Sequence, residues 1–276
     1  MFCVGMGAVR VRSDTLNNDR AGSDMILKQD IAEKRTVEYA QSPNSQEDFV
    51  PYDAKEDLHW DMELVLVRHG TTLWNKERRY LGHSDLGLLP GAEQELKSLQ
   101  EELQGQAFAR IYCSDLMRCR QTLQIIVPES ELTSGGSLSI MSPMMEPRLR
   151  ELHFGEWDGK TYDMLKDVSL YRAWIDEPQR ITPPGGEPWT DFVNRLQKFL
   201  DSLYEWRVAM EVQPMDLTAA PPSVLVVTHG GVIRQLACML IPGHDFWSLN
   251  PKPGEAFRIQ LRLAGPHNYI AEMLPH

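Results

Sequence analysis

Two short aliphatic runs stop in the same abrupt way, and this coincidence constrains the fold more than any other feature of the chain. Leu64-Val65-Leu66-Val67 ends on Arg68-His69-Gly70, and Val224-Leu225-Val226-Val227 ends on Thr228-His229-Gly230-Gly231. A Val-rich run of this length, closed by glycine, predicts a strand buried on both faces, as in a parallel sheet. Val232-Ile233-Arg234-Gln235-Leu236 follows the second run with the apolar spacing of a helix. The fold class expected is therefore α/β: a three-layer α/β/α sandwich around a mostly parallel sheet. In such sheets ligands bind in the crevice beyond the carboxyl ends of the strands, so both histidines would be presented there on rigid backbone. Arg68 adds a planar, permanently charged fork suited to phosphate, and a histidine can be nucleophile, proton carrier or metal ligand. Either run alone reads equally well as a strand end capped by polar residues. Their repetition is what points to a paired-histidine site.

The segments between and around these strands read as follows. Residues 1–61 are polar, with no strong apolar period beyond a weak helical pattern over 25–40, and are expected to form a poorly ordered extension ahead of a functional domain at 62–276. Asn75 can reach back to the first strand end as a hydrogen-bond partner, or remain a solvated loop residue. Pro90-Gly91-Ala92 opens a predicted helix to Leu103 with Ala92, Leu96, Leu99 and Leu103 on one stripe. Phe108–Cys113 reads as a strand, and Ser114-Asp115 as the N-cap of the next helix. Arg118 falls in the first turn of that helix, where the positive end of the dipole disfavours a cation, so its placement suggests a nearby anion; Arg120 should face elsewhere.

Thr133–Ser137 is expected to be a flexible loop. Over 147–159, apolar and charged residues alternate and end at glycines, predicting a strand leading into a loop. A carboxylate there could donate a proton, with Glu151, Glu156 and Asp158 as candidates. Short helices are expected around Tyr162–Ile175, a loop at 183–188, and a long amphipathic helix over Trp189–Trp206. A linker then covers 210–222, and a hairpin of 256–263 and 269–274 closes the sheet with antiparallel strands. Trp74, Tyr80, Trp157 and Trp174 either stack on a flat part of a ligand or pack the segment over the site.

Composition removes several classes of partner. With 28 basic against 39 acidic residues and a net charge of −11, the chain offers no general attraction to nucleic acid or to an anionic membrane, so a phosphate pocket would be a local island of positive charge. No stretch approaches the roughly 18 consecutive apolar residues of a membrane span. Arg10 and Arg12 follow the first apolar residues instead of preceding them, the wrong order for a secretory signal. Cys3, Cys113, Cys119 and Cys238 lie far apart without CxxC spacing, which indicates neither a zinc knuckle nor a disulfide framework and fits a cytoplasmic protein. Cys113 and Cys238 read as small core residues. The oligomeric state is open, a homodimer being one option.

Taken together the motifs resemble the histidine phosphatase superfamily, which has the phosphoglycerate mutase-like fold. The resemblance rests on Arg68-His69-Gly70 with Thr72 and Asn75, Gly82 with Asp85, and Ser114-Asp115-Leu116-Met117-Arg118 with Thr122. It continues through Leu149-Arg150-Glu151 with Phe154-Gly155 and Trp157-Asp158-Gly159, then Pro184-Gly185-Gly186-Glu187 and Thr228-His229-Gly230-Gly231. These occur in the family's order from residue 62 to about 235. The resemblance implies a metal-independent phosphomonoester hydrolase, without a cofactor, acting on a small phosphorylated metabolite. His69 would be the nucleophile and Glu151 the general acid. Arg68, Asn75, Arg118, a protonated His229 and the Gly230 N–H would hold the phosphoryl oxygens. Gly155–Gly159, Tyr171, Trp174 and the 183–187 loop are most similar to bacterial α-ribazole phosphatases and broad-specificity phosphatases. Two departures, Leu81 in place of a hydroxyl residue and an acidic, aromatic segment over 160–184, favour hydrolysis over a mutase. Thr71 stands where the family more often has Glu or Gln. A catalytically silent phospho-ligand module is the remaining alternative; it would lack a histidine or the acid, and all three are present.

Overall fold

In a computed structural model of the chain, the described residues are 61–128, 142–210, 221–265 and 267–274. The proposed extension up to residue 60, the weak helix over 25–40, the loop at 133–137 and most of the linker at 210–222 lie outside them. Six strands form the sheet: β1 (Met62–Arg68), β2 (Arg110–Cys113), β3 (Met144–Met145), β4 (Ser223–Thr228), β5 (Ala256–Gly265) and β6 (Asn268–Met273). Their order is β3-β2-β4-β1-β5-β6. The first four are mutually parallel, while β5 runs antiparallel to β1, and β6 to β5. This is the mostly parallel sheet with an antiparallel closure that the sequence predicts.

Alternation along the central strands explains the layers, because successive side chains point to opposite faces. Leu64 and Leu66 of β1, with Val224 and Val226 of β4, enter one core, while Val65, Val67, Leu225 and Val227 enter another. All eight are fully buried, each contributing roughly 1.5–3 kcal/mol against an exposed position. The first core is covered by helices Ser169–Asp176, Trp189–Met210 and Gly230–Leu240. The second is covered by Lys97–Leu103 and Met117–Ile126.

Three local expectations need correction. The helix expected over 92–103 is broken at Leu96 into Ala92–Glu95 and Lys97–Leu103, although the stripe Ala92, Leu96, Leu99 and Leu103 is buried as read. The stretch 147–159 contains no strand. It folds as two single 3-10 turns, Pro147–Leu149 and Gly155–Trp157, and its charged residues Arg148, Arg150 and Asp158 are taken up by Glu146, Asp115 and the Gly82–Ser84 loop instead of flanking a ladder. Ser114 and Asp115 do not cap the helix that begins at Met117. Leu116 occupies the cap position, and Asp85 from a distant loop accepts from the Met117 N–H at 2.5 Å, while Asp115 pairs bidentately with Arg150. Cys113 is a buried core residue as expected, whereas Cys238 is only half-buried.

Candidate active site

Register brings the two histidines together. β1 and β4 pair Val67 with Val227 and Arg68 with Thr228, and the ladder continues with the His69 N–H donating to Thr228 O at 3.0 Å. His69 and His229 are therefore the next residues off two neighbouring strands, and a slip of one residue would send their side chains to opposite faces. Their ring centroids are 5.2 Å apart, and both side chains are buried. Beyond His229 the chain enters the helix Gly230–Leu240, so the N–H groups at its start lie at the same strand end, where the Gly231 N–H donates to Glu151.

The protonation of each ring follows from its partners. His69 Nδ1 lies 2.7 Å from Gly70 O, and a carbonyl can only accept, so the proton sits on Nδ1 and Nε2 carries a lone pair. Burial, followed by the charges of Arg118 and Arg68, holds this imidazole well below the usual histidine pKa. It is thus held in the neutral form, with the lone pair on Nε2. His229 Nδ1 accepts from Arg118 Nε at 3.2 Å, so its proton sits on Nε2, directed at Ser114 Oγ 2.9 Å away. Burial first, then Arg118, His69 and two further arginines, hold this ring well below 6.5 as well. Without an anion, burial and then the neighbouring guanidinium groups therefore oppose a positive charge on His229, whereas the protonated His229 expected from the sequence belongs to the anion-bound site. A bound dianion reverses that balance. The His229 pKa, followed by imidazole NMR, is expected to lie below 6.5 in the free protein and to rise when inorganic phosphate or vanadate binds. A value that does not move on saturation would refute this account.

Arg118 is fully buried (0% exposed). Besides His229, its guanidinium donates from Nη1 to Ser84 O at 2.9 Å and from Nη2 to Gly82 O at 2.7 Å. Those carbonyls are held by Asp158, which accepts from Gly82 N at 2.7 Å, Ser84 N at 2.9 Å and Ser84 Oγ at 2.6 Å. Thr122, one turn after Arg118, receives the Gly70 N–H and donates to Arg118 O, tying the helix to the His69 turn. Arg120 is exposed, as read. Arg68 is half-buried: Nη1 donates to Pro251 O at 2.6 Å, and a methyl placed on Gly230 would come within 3.4 Å of Nε.

Of the three acids left open by the sequence, only Glu151 reaches the crevice. It is buried, with Oε1 accepting from Leu152 N and Oε2 from Gly231 N, both at 2.9 Å. A Cβ on Gly231 would fall 2.3 Å from Glu151 Oε1, which is why glycine stands there. Glu156 is exposed and Asp158 is occupied with the Gly82–Ser84 loop. Asn75 forms a capping box with Thr72, its Oδ1 accepting from Thr72 N and Oγ1, so its amide nitrogen is the end able to donate to an anion. Among the described residues, no group of three or more His, Cys, Asp or Glu is arranged to hold a metal ion. Nor is any helix among them long and apolar enough to cross a membrane.

The aromatic residues divide along the lines of the two readings. Tyr80, Trp157 and Trp174 pack with Tyr171 and Phe154 as a cluster of mostly edge-on and tilted rings, Trp174 lying stacked on Tyr171, with Tyr80 Oη 2.7 Å from Tyr171 Oη. They pack the covering segment and are not a stacking face. Trp74 is half-buried against Gly159. Sequence reasoning passed over Ser84, read Ser114 as a helix cap and Asp158 as a candidate acid, and so missed what each does here: Ser84 and Asp158 hold the loop that Arg118 bonds, and Ser114 meets His229. Nothing local marks them, since each acts on a residue that is distant in the chain.

The class of protein is defined by this geometry together with a family model, the histidine phosphatase superfamily (branch 1), that matches residues 64–267. The chain belongs to that superfamily, an assembly of enzymes whose phosphatases include relatives of this chain. It is 27% identical over 197 residues, 70% of this chain and 87% of the other, to the adenosylcobalamin/α-ribazole phosphatase of Escherichia coli K12. It is 33% identical over 184 residues, 66% of this chain and 71% of the other, to phosphoglycerate mutase-like protein 4 of Arabidopsis thaliana. In fold it resembles the crystal structure of the α-ribazole phosphatase from Shigella flexneri, with a TM-score of 0.62 over 77% of this chain and 96% of that one at 24% identity.

Proposed function

We propose that this protein, through residues 62–276, hydrolyses small phosphomonoesters by way of a phosphohistidine at His69. The observation that carries the reading is the fixed tautomer of His69, which leaves a lone pair on Nε2 within a crevice also reached by Arg118, Arg68 and the carboxylate of Glu151. His69 Nε2 attacks phosphorus, and the bond to the leaving oxygen breaks. That oxygen keeps the electron pair and takes a proton from Glu151. Water then attacks the phosphohistidine, gives its proton to the Glu151 carboxylate, and releases phosphate with His69 restored. Arg68, Arg118, Asn75, the Gly230 N–H and His229 stabilise the charge spread over the three equatorial oxygens. His229 takes up its positive charge only once the anion is in place.

Hydrolysis is favoured over a phosphoglycerate mutase reaction by the segment over the site. Of its four cations, Lys166, Arg172 and Arg180 are bonded within the segment to Asp163, Tyr162 and Glu177, and Lys160 is exposed at its start; Leu81 is buried and has no group to offer a second phosphate. The substrate we propose first is α-ribazole 5′-phosphate, after the named phosphatase relatives. The test is phosphate release from a panel of phosphomonoesters that includes it, run beside 3-phosphoglycerate with a bisphosphoglycerate primer. Phosphate release with α-ribazole 5′-phosphate preferred is the expected result. Rapid 2-phosphoglycerate formation without free phosphate would overturn hydrolysis, and indifference to α-ribazole 5′-phosphate would overturn the substrate alone.

A further inference from the structure

The turn that carries Glu151 is held almost entirely by side chains from elsewhere. Arg195, on the helix Trp189–Met210, uses all five of its N–H donors around it. Nη1 donates to Arg148 O and to Arg150 O, each at 2.6 Å, and Nη2 to Glu151 O at 3.0 Å. Nε and Nη2 also grip the Glu187 carboxylate in a fork, at 2.6 and 2.9 Å. The carbonyl between these, Leu149 O, receives the Thr228 hydroxyl at 2.8 Å, and Glu151 O takes a second bond from His83 Nε2 at 2.9 Å. Four consecutive carbonyls are thus satisfied from a helix, a strand and a loop distant in sequence. The pair is only about one-sixth exposed, at 16% for Arg195 and 14% for Glu187, and Glu187 is anchored to the same segment by its N–H donating to His153 O at 2.9 Å.

We infer that Arg195, clamped by Glu187, is a positioning residue for the proton donor: it fixes the 148–151 turn so that the Glu151 carboxyl meets the leaving oxygen. The inference rests on the reading of Glu151 as general acid. Glu151 itself has two backbone N–H contacts, one of them from its own neighbour Leu152, so its direction depends on where the turn sits. A displacement of about 1 Å is enough to cost a large factor in a proton transfer. A lysine cannot replace this fork, because one ammonium has three donors and no planar geometry to span two carboxylate oxygens and three carbonyls. His83 supports the same carbonyl as a neutral donor, its pKa pushed down to about 4 by burial, then by His153 and Arg195.

The test separates proton donation from stability by the leaving group. It uses kcat/KM, which covers the steps up to departure of the leaving group and excludes hydrolysis of the phosphohistidine. An alkyl phosphomonoester needs its departing oxygen protonated, whereas p-nitrophenyl phosphate releases a stable phenolate. Arg195→Ala is expected to lower kcat/KM on the alkyl ester by about 10²-fold and to leave p-nitrophenyl phosphate near the parent value. Glu187→Gln should show the same selectivity at smaller size, and Arg195→Lys should recover little. If Arg195→Ala does not fold, Glu187→Gln and Arg195→Lys carry the measurement. Parallel losses on both substrates, or no loss on the alkyl ester, would overturn the inference. Glu151→Gln serves as the reference. If it shows the selectivity and the Arg195 and Glu187 variants do not, the reading of Glu151 stands and the clamp fails. If it lacks the selectivity itself, the general-acid reading falls.

Discussion

His69→Ala is expected to abolish turnover, with kcat falling by about 10⁴-fold or more, as for removal of a nucleophile in other covalent enzymes. No neighbour can take its place. His229, the other imidazole in the crevice, has its Nδ1 lone pair occupied by Arg118 Nε and its Nε2 proton directed at Ser114. The parent enzyme, quenched during turnover, should yield an acid-labile phosphoryl group on the peptide containing His69, and His69→Ala should yield none. Since His69 makes one side-chain bond, to Gly70 O, and a ring contact with His229, the variant should still fold. Activity above about a tenth of the parent value would exclude His69 as the nucleophile, since covalent catalysis leaves no such remainder.

Arg118→Ala carries the second large effect, a loss of about 3 kcal/mol or more of transition-state stabilisation, about 10²-fold or more in kcat. The guanidinium is preorganised before any anion arrives, held by Ser84 O, Gly82 O and His229, so no reorganisation opposes its action during transfer. Its loss also frees those two carbonyls and removes the foremost charge depressing the His229 pKa, although burial, the larger cause, still holds it down. Added guanidinium ion, which can occupy the vacated space, should restore part of the rate to Arg118→Ala. Equal activity of parent and variant would remove Arg118 from the phosphate site; a rate loss unaffected by guanidinium, with the melting temperature collapsed, would assign it to the scaffold.

Legibility from sequence differed sharply between elements. β1, β4 and the helix at 230–240 were readable because burial on both faces produces unbroken aliphatic runs, and glycine marks where they stop. The alternation over 147–159 misled because the pattern of apolar and charged residues there reflects charged partners, Asp115 for Arg150 and Glu146 for Arg148, and not two faces of a sheet. The cap of the helix at 117–126 was misread for a similar reason: Asp85, more than thirty residues earlier, does what a local Ser or Asp usually does.

The amino-acid sequence by itself determined the layered α/β class, the two strands that end in histidine and the set of chemical groups available to a phosphoryl site, because periodicity and side-chain type are properties of the chain before it folds. Only the tertiary structure decided which acid faces the crevice, that burial and neighbouring charges hold the His229 pKa well below its ordinary value, and that Asp158 and Arg195 act through the backbone of other segments. Each of those outcomes depends on burial and on hydrogen bonds between residues distant in sequence, and the energy of a buried charge or an oriented carbonyl is set by what surrounds it in space.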